Sequence, residues 1–234
     1  MINIYTVKWG TKYSSEYVNK IFRDCIKYLG IPGENTFAFY CITDDDTGLN
    51  KQINPLFIPE DNFYEKWWNK MFLFDKNFLK QRGEKLFFDL DIGIQHGLKY
   101  LVDYKCEDKL VCVKTHWHDL ERMKKDTQHI PEKYTEMNSS VLRWNDSLDM
   151  SEVWNFMRDY PSQVFWYYRG LDNFFWNRLS HDKIGFFPKT WVYSYNYGYI
   201  HPVDVDEFQH RETPFICLYD SMERPQDVKP EFYE

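Results

Sequence analysis

Two carboxylates, Asp89 and Asp91, stand one residue apart directly after an apolar run in the segment KLFFDLDIGI, residues 85–94. In a regular strand, positions two apart point to the same face, so the two side chains are expected to share one side. Neighbouring carboxylates repel each other and are costly to desolvate, and a divalent cation with oxygen ligands would balance their charge. Mg²⁺ or Mn²⁺ suits such ligands and can bring phosphate groups with it. The alternative is a strand-end turn in which the aspartates cap backbone amides.

The first half of the chain alternates apolar runs of strand character with segments of helical spacing. Tyr17 and Ile21, for example, recur at helical spacing after serines that can cap a helix. Such alternation favours an α/β fold with a largely parallel sheet, in which ligands bind beyond the carboxyl ends of the strands. The carboxylates of 44–46 and the pair described above all follow apolar runs, so we expect them at that edge. The predicted strands are 2–8, 36–42, 52–58, 85–92 and 109–114, and the predicted helices are 14–29 and 64–75.

The second half of the chain is less regular. Residues 115–136 are polar and show no periodicity, which predicts a long excursion from the fold. No internal repeat or linker is evident, so a single domain spanning residues 1–234 is the simplest interpretation. The remaining predicted elements are strands at 139–144 and 214–219, helices at 147–159 and 170–179, and a β-rich section at 184–201.

The composition restricts the class of protein. A net charge of −7 leaves no broad basic surplus for non-specific binding to duplex nucleic acid. The aromatic fraction of 20% suits a core, and it also suits sugar or base sites. The 5 cysteines are scattered without CxxC spacing, which favours reduced thiols in a cytoplasm-like compartment. No apolar run approaches the roughly 20 residues that span a bilayer, and the N-terminal residues lack a signal-peptide pattern.

Six stretches occur in an order that resembles a known family, the small GT-A-fold glycosyltransferases of bacteria and their phages, distant relatives of the glycogenin-like family (family 8-like). The resemblance implies a Rossmann-like fold with a mixed, mostly parallel sheet flanked by helices. It also implies that 1–114 form the nucleotide-sugar-binding half and 115–234 the acceptor-side half of the single domain. The stretches are VKWGTKYSSEYVNK (7–20), CITDD (41–45), WWNKMFLF (67–74), LFFDLDIGI (86–94), NSSVLRW (138–144) and YYRGLDNFFW (167–176).

By this resemblance, the chain transfers a sugar from a nucleotide-diphosphate sugar with the help of Mn²⁺ or Mg²⁺. Asp91 is then the main metal ligand, and Asp89 contacts both ribose and the metal. Lys70 binds the diphosphate. The resemblance places a further group of residues around the nucleotide: Lys8, Trp9, Gly10, Thr11, Tyr13 and Thr43.

Asp44 lies by the base in relatives, where a carboxylate can accept the imide proton of uracil, so a UDP-sugar is favoured. Asn138, with Ser139 and Ser140 after it, is suited to sugar hydroxyls or a phosphate, although a turn before a strand explains the same residues equally well. Trp67 and Trp68 are expected to pack in the core.

The sequence departs from the family pattern in two places. Relatives read Gly-Asp-Gln-Asp where this chain reads Gly-Leu-Asp-Asn from residue 170, so Asp172 is the only carboxylate available for the acidic role. It could hold a donor hydroxyl or orient the acceptor, or serve only as a first-turn partner of the helix dipole. Near the end, the usual histidine metal ligand is missing; Asp220 stands in nearly the same place, and Arg224 could replace the family's lysine at the diphosphate.

Two other classes of function stay open from the sequence. One is a metal-dependent nucleotidyltransferase or phosphohydrolase, although WGTKYSSE lacks the Gly-rich phosphate loop expected after the first strand. The other is a non-catalytic carbohydrate-binding or virion accessory protein that retains a degenerate transferase site. The acceptor is not indicated; a glycan, a protein or a modified nucleic acid would all be compatible with the resemblance.

Overall fold

The computed structural model describes residues 1–33, 36–195 and 215–219. The strands are β1 (Ile2–Lys8), β2 (Phe37–Thr43), β3 (Asn54–Phe57), β4 (Glu84–Phe88), β5 (Ile92–Ile94), β6 (Leu110–Lys114), β7 (Met137–Trp144), β8 (Ile184–Phe186), β9 (Val192–Ser194) and β10 (Ile216–Leu218). The α-helices are α1 (Ser15–Leu29), α2 (Leu98–Asp103), α3 (Leu120–Asp126), α4 (Ser151–Asp159), α5 (Pro161–Tyr167) and α6 (Leu171–Arg178). Three 3₁₀ helices occupy Lys66–Phe74, Pro131–Lys133 and His181–Lys183.

The main sheet of the described ranges has seven strands in the order β3-β2-β1-β4-β7-β6-β8. Strand β7 runs antiparallel to both of its neighbours, β4 and β6, and the other adjacent pairs are parallel. This confirms the predicted α/β fold with a mixed, mostly parallel sheet. Because β7 is reversed, its first residues lie at the same edge as the carboxyl ends of β1 and β4.

Apolar side chains from β1 alternate between the two faces of the sheet, as a strand's two-residue period requires. Ile4 packs into a core with α1 and α2, whereas its neighbour Tyr5 packs into a second core with α4, α6 and the 3₁₀ helix Lys66–Phe74. Helix α1 buries Tyr17, Ile21 and Cys25 along one stripe. The sheet is therefore covered on both sides, with helices on each face.

A second, three-stranded sheet has the order β5-β10-β9. The chain enters this second sheet directly after β4: it leaves the main sheet after Phe88, turns through residues 89–91 and continues as β5. The predicted continuous strand 85–92 is therefore wrong. Asp89 and Asp91 lie in a turn between two sheets, and strand alternation is not the reason for their proximity.

Several other predicted boundaries need correction. The helix predicted at 64–75 is a 3₁₀ helix, and the excursion predicted at 115–136 contains α3 and a short 3₁₀ helix. The segment predicted as helical at 147–159 begins its helix only at Ser151, and helix α5 was not predicted. No helix in the described part of the chain is long and apolar enough to cross a membrane.

Candidate active site

A cavity of about 790 Å³ opens at the edge of the main sheet where β1 and β4 end and β7 begins. This is the edge at which open α/β sheets bind ligands. Because the strands lie in the order β1-β4-β7, residues after β1 line one end of the cavity, residues after β4 line its middle, and residues of β7 and α6 line its other end. The lining residues are Val7, Trp9, Thr11, Lys12, Tyr13, Lys66, Trp67, Lys70, Asp89, Leu90, Asp91, Asn138, Ser140, Asp172 and Leu218.

The turn that carries the carboxylate pair is fixed by hydrogen bonds from both sheets. The N–H of Asp89 donates to the carbonyl of Ser140 on β7 (2.9 Å), and the carbonyl of Asp91 accepts the N–H of Tyr219 after β10 (3.1 Å). The hydroxyl of Tyr13 donates to Asp91 Oδ2 (3.2 Å). Both carboxylates therefore project into the cavity from a turn whose backbone is hydrogen-bonded to a strand of the main sheet and to the residue that follows a strand of the second sheet.

Lys70 supplies the positive charge nearest to this pair. It projects from the 3₁₀ helix Lys66–Phe74, is 8% exposed, and places Nζ 2.7 Å from Asp89 Oδ2. The same ammonium donates to Ser139 Oγ (3.3 Å). The lysine predicted to bind a diphosphate thus lies in the cavity beside the predicted metal ligands.

Burial dominates the electrostatics of Asp89. Desolvation raises its pKa to about 6; Lys70 acts in the opposite direction, and the neighbouring charge of Asp91 adds to the rise. Burial and the charge of Asp91 also raise the pKa of Tyr13, so its phenol stays protonated and can donate. The two carboxylates therefore form a strained negative centre that a further cation would stabilise.

Asp172, in the first turn of α6, faces the same cavity from the far side. Its Oδ1 accepts the N–H of Ser139 (2.9 Å), and burial raises its pKa while Lys70 lowers it. Asn138 lines the cavity next to it, with its side-chain oxygen accepting the N–H of Ser140 (2.9 Å). The two residues predicted for catalysis thus lie together, although their roles stay predictions.

Four residues predicted at the nucleotide do not line the cavity. They form hydrogen bonds within and between the turns that follow β1 and β2. Lys8 is 5% exposed and donates from Nζ to the carbonyl of Asp45 (3.1 Å), which also accepts the hydroxyl of Thr43 (2.8 Å). The carboxylate of Asp44 accepts the N–H of Gly10 (2.9 Å). Trp9, Thr11 and Tyr13 are the nucleotide candidates that face the cavity.

Sequence reasoning missed Trp67, which was expected to pack in the core. Trp68 does so at 7% exposure, but Trp67 is 48% exposed and lines the cavity. The same helix buries every residue from Trp68 to Phe74, so its local pattern contains no signal that distinguishes Trp67 from Trp68. Lys12 and Lys66 also line the cavity without having been predicted. Asp220 and Arg224 lie outside the described residues.

Within the described ranges, no group of three or more His, Cys, Asp or Glu side chains could hold a metal ion. His116, one of two nearby histidines in HWHD, pairs its Nδ1 with the carbonyl of Lys114 (2.9 Å). The predicted ligand Asp220 lies outside the described residues; within them, a metal at Asp89 and Asp91 would find no third protein ligand and would bind substrate oxygens and water. That is the usual arrangement for Mg²⁺, which binds one or two carboxylates together with substrate phosphates.

Comparison of the fold with solved structures identifies its architecture. The galactosyltransferase LgtC, solved in complex with donor and acceptor sugar analogs, superposes with a TM-score of 0.69 at 12% identity, over 99% of this chain and 94% of that chain. The chain has a GT-A glycosyltransferase fold. The glycosyltransferase GlyE of Streptococcus pneumoniae TIGR4 matches over 97% of this chain and 56% of its own (TM-score 0.62, 13% identity).

A more distant structure shares the same architecture. Mouse xyloside xylosyltransferase 1 in its apo form matches over 94% of this chain and 97% of its own (TM-score 0.56, 10% identity). No protein-family model and no curated protein matches the sequence. Of the resemblance noted in the short motifs, these comparisons support the GT-A glycosyltransferase fold.

Proposed function

We propose that this chain is a metal-dependent glycosyltransferase that moves a sugar from a nucleotide-diphosphate sugar to an acceptor hydroxyl. One observation carries the proposal: Asp89, Asp91, Lys70 and Asp172 converge on one cavity at the ligand-binding edge of a GT-A fold.

In the proposed site, Asp89 and Asp91 hold a divalent cation, Mn²⁺ or Mg²⁺, together with the donor's diphosphate. When bound, the cation acts as a Lewis acid that stabilises charge on the departing nucleoside diphosphate. The residues present fit this group because the carboxylates of Asp89 and Asp91 line one cavity two residues apart, and carboxylate oxygens are the ligands that Mg²⁺ and Mn²⁺ prefer.

Residues after β1 are proposed to bind the nucleoside. Trp9, 36% exposed, and Tyr13 offer aromatic faces, and Thr11 offers a hydroxyl. UDP is favoured by the motif resemblance alone, because Asp44, the residue expected at the uracil imide, does not line the cavity and accepts the N–H of Gly10 (2.9 Å). GDP and TDP are the alternatives that the nucleotide assay below distinguishes.

In the transfer step, the bond between the sugar's anomeric carbon and the phosphate oxygen breaks, and its electron pair stays on the diphosphate. The acceptor oxygen forms the new bond to that carbon, and its proton passes to a base facing the acceptor, for which the carboxylate of Asp172 is the candidate in this cavity. The ammonium of Lys70, already 2.7 Å from Asp89, is positioned to donate to the diphosphate as its charge grows. Asp172 and Asn138 are positioned to accept and donate hydrogen bonds at the sugar hydroxyls.

Thermal unfolding with UDP, GDP and TDP, each with and without Mn²⁺, tests the proposal. At a hundredfold excess over its dissociation constant, a nucleotide stabilises the folded state by about 2.7 kcal/mol, which raises Tm by about 5–10 °C for a chain of this size. We expect stabilisation only when metal and nucleotide are both present.

Two variants make the test specific. Asp91→Asn should lose the metal-dependent stabilisation, whereas Asp46→Asn, at an exposed carboxylate in the loop after β2, should keep it. Slow release of free sugar from the stabilising donor would then show a competent transferase. If no nucleotide stabilises the protein in the presence of Mn²⁺, the proposal is wrong.

A sugar-binding protein with a degenerate site is the second candidate, favoured by the altered Gly-Leu-Asp-Asn motif and by the exposed indole of Trp67 in the cavity. Such a protein would be stabilised by saccharides without metal and would release no sugar from any donor.

A further inference from the structure

Trp67 is an exposed aromatic side chain inside a cavity otherwise lined largely by polar groups. It is 48% exposed, whereas its neighbour Trp68 is 7% exposed and packs against Phe165 and Phe174. Burying an indole is strongly favourable, so a half-exposed tryptophan in a cavity is a surface available for a ligand. The packing of the core does not require it there.

The position of Trp67 within the cavity follows from sheet order. Residues after β1 begin the lining, Asp89 and Asp91 after β4 occupy its middle, and β7 and α6 form its far end. Trp67 belongs to the far end, because its indole Nε1 would lie 3.4 Å from a Cβ atom placed on Gly170, the residue that begins α6. Asp172 follows two residues later.

This order matches the parts of a nucleotide-diphosphate sugar. With the nucleoside beside β1 and the diphosphate at Asp89 and Asp91, the transferred sugar lies near Asp172. A group beyond that sugar meets Trp67. The nucleophilic acceptor then approaches from the end at which Trp67 is exposed, since the nucleoside fills the other end.

We propose that Trp67 is the stacking platform for a pyranose ring of the acceptor, so that the acceptor is a carbohydrate; this inference rests on the proposed transferase function. The apolar C–H face of a pyranose covers an indole face, while its hydroxyls need polar partners at the ring edge. Lys66 lines the same cavity and holds its ammonium over the face of the Trp67 ring, 5.7 Å from its centre. A pyranose that stacks on this face displaces the ammonium to the edge of the sugar, where it can donate to a hydroxyl.

The backbone supports a binding role for this corner. Lys66 has a φ of 53°, in the left-handed region that non-glycine residues rarely adopt. This conformation is unfavourable for a residue with a side chain and is retained where surrounding structure imposes it, often at binding sites. It turns the chain into the 3₁₀ helix that carries both Trp67 and Lys70.

The test uses full-length protein labelled with fluorinated tryptophan, whose fluorine NMR signals report each indole separately. The signals of Trp67 and Trp166 are assigned with Trp67→Phe and Trp166→Phe. Trp166 is the matched control, because it is 84% exposed and does not line the cavity. Lactose, maltose and cellobiose are then titrated in the presence of UDP and Mn²⁺.

We expect at least one disaccharide to shift the Trp67 signal while the Trp166 signal stays unchanged. Trp67→Ala should weaken that binding about tenfold or more, because a tryptophan buried by a binding partner is typically among the few side chains that carry most of a binding energy; Trp166→Ala should leave it unchanged. A Trp67 signal that moves with UDP and Mn²⁺ but with none of the saccharides would overturn the inference, as would equal effects of the two alanine variants.

The failures of the two proposals are distinguishable. Absence of stabilisation of the unlabelled wild-type protein by nucleotide and Mn²⁺ contradicts the transferase proposal. A normal response to nucleotide and metal, combined with a Trp67 signal insensitive to the saccharides, contradicts the acceptor platform alone.

Discussion

Removing the ammonium of Lys70 is expected to destabilise the metal-free protein by an amount set by burial. The side chains of Lys70 and Asp89 are only 10% and 21% exposed, and Nζ and Oδ2 are 2.7 Å apart. Breaking a buried ion pair by removing one partner costs about 3–5 kcal/mol, because the other charge is left uncompensated. Since part of Asp89 still reaches solvent, the loss of unfolding free energy in Lys70→Met should lie at the lower end of this range, about 3 kcal/mol. This corresponds to a decrease in Tm of about 6–12 °C.

A double-mutant cycle with Asp89→Asn isolates the pair itself. Measured by urea unfolding in a metal chelator, the coupling energy should be about 2–3 kcal/mol, with the double variant recovering most of the stability lost by Lys70→Met. The matched control is Lys76 and Asp149, which lie 3.5 Å apart but are 69% and 73% exposed. Their coupling should be about 0.5 kcal/mol or less, because solvent screens an exposed pair.

The reasoning is refuted if the two cycles give the same coupling energy, since burial would then not decide the strength of the pair. A further consequence concerns metal. Mn²⁺ should stabilise Lys70→Met more than the wild-type protein, because the cation replaces the missing positive charge beside Asp89, and it should not do so once Asp89 is also replaced.

Three other expectations follow from the structure. Burial raises the pKa of Asp172, so the contribution of its protonated form to stability is fully present below about pH 4 and is lost as the pH rises through the folded-state pKa. Asp172→Asn should avoid that loss, so at neutral pH the variant should unfold at a higher urea concentration than the wild type. In acid the two proteins should unfold at the same urea concentration. Gly97→Ala should cost more than Gly10→Ala in unfolding free energy: both glycines have positive φ, worth about 1–2 kcal/mol, but only at 97 would the added Cβ lie 2.4 Å from the ring of Phe215. All 5 cysteines are buried, so a thiol reagent should label none of them quickly in native protein and all of them after unfolding; rapid native labelling would contradict the packing around Cys25, Cys41, Cys106, Cys112 and Cys217.

The fold class was predictable because the apolar spacing within each strand and helix agrees with the secondary structure that the segment adopts. The stripe of Tyr17 and Ile21 on α1 and the apolar runs of β1, β2 and β4 determined the α/β class without reference to tertiary contacts. The 3₁₀ character of Lys66–Phe74 was not predictable in this way, since apolar spacing alone does not distinguish a 3₁₀ from an α-helix in a short segment.

The site was predictable where charge has to be compensated. An apolar run followed by Asp89 and Asp91 indicated a cation, and the structure places Lys70 against Asp89. The break in the strand at Phe88 was missed because nothing local distinguishes LFFDLDIGI from one longer strand; the second sheet, formed with a segment far away in sequence, decides it. Trp67 was missed because the direction of a single side chain depends on tertiary packing.

The hydrogen bond from Tyr219 to the carbonyl of Asp91 has a consequence for the timing of synthesis. The strands β1, β2 and β4 leave the ribosome well before β10, which pairs with β5 beyond the turn. A nascent chain can therefore form much of the larger sheet while the 89–91 turn still lacks its second hydrogen-bond partner. The proposed donor site should accordingly become complete only after residues 216–219 have been released and have docked.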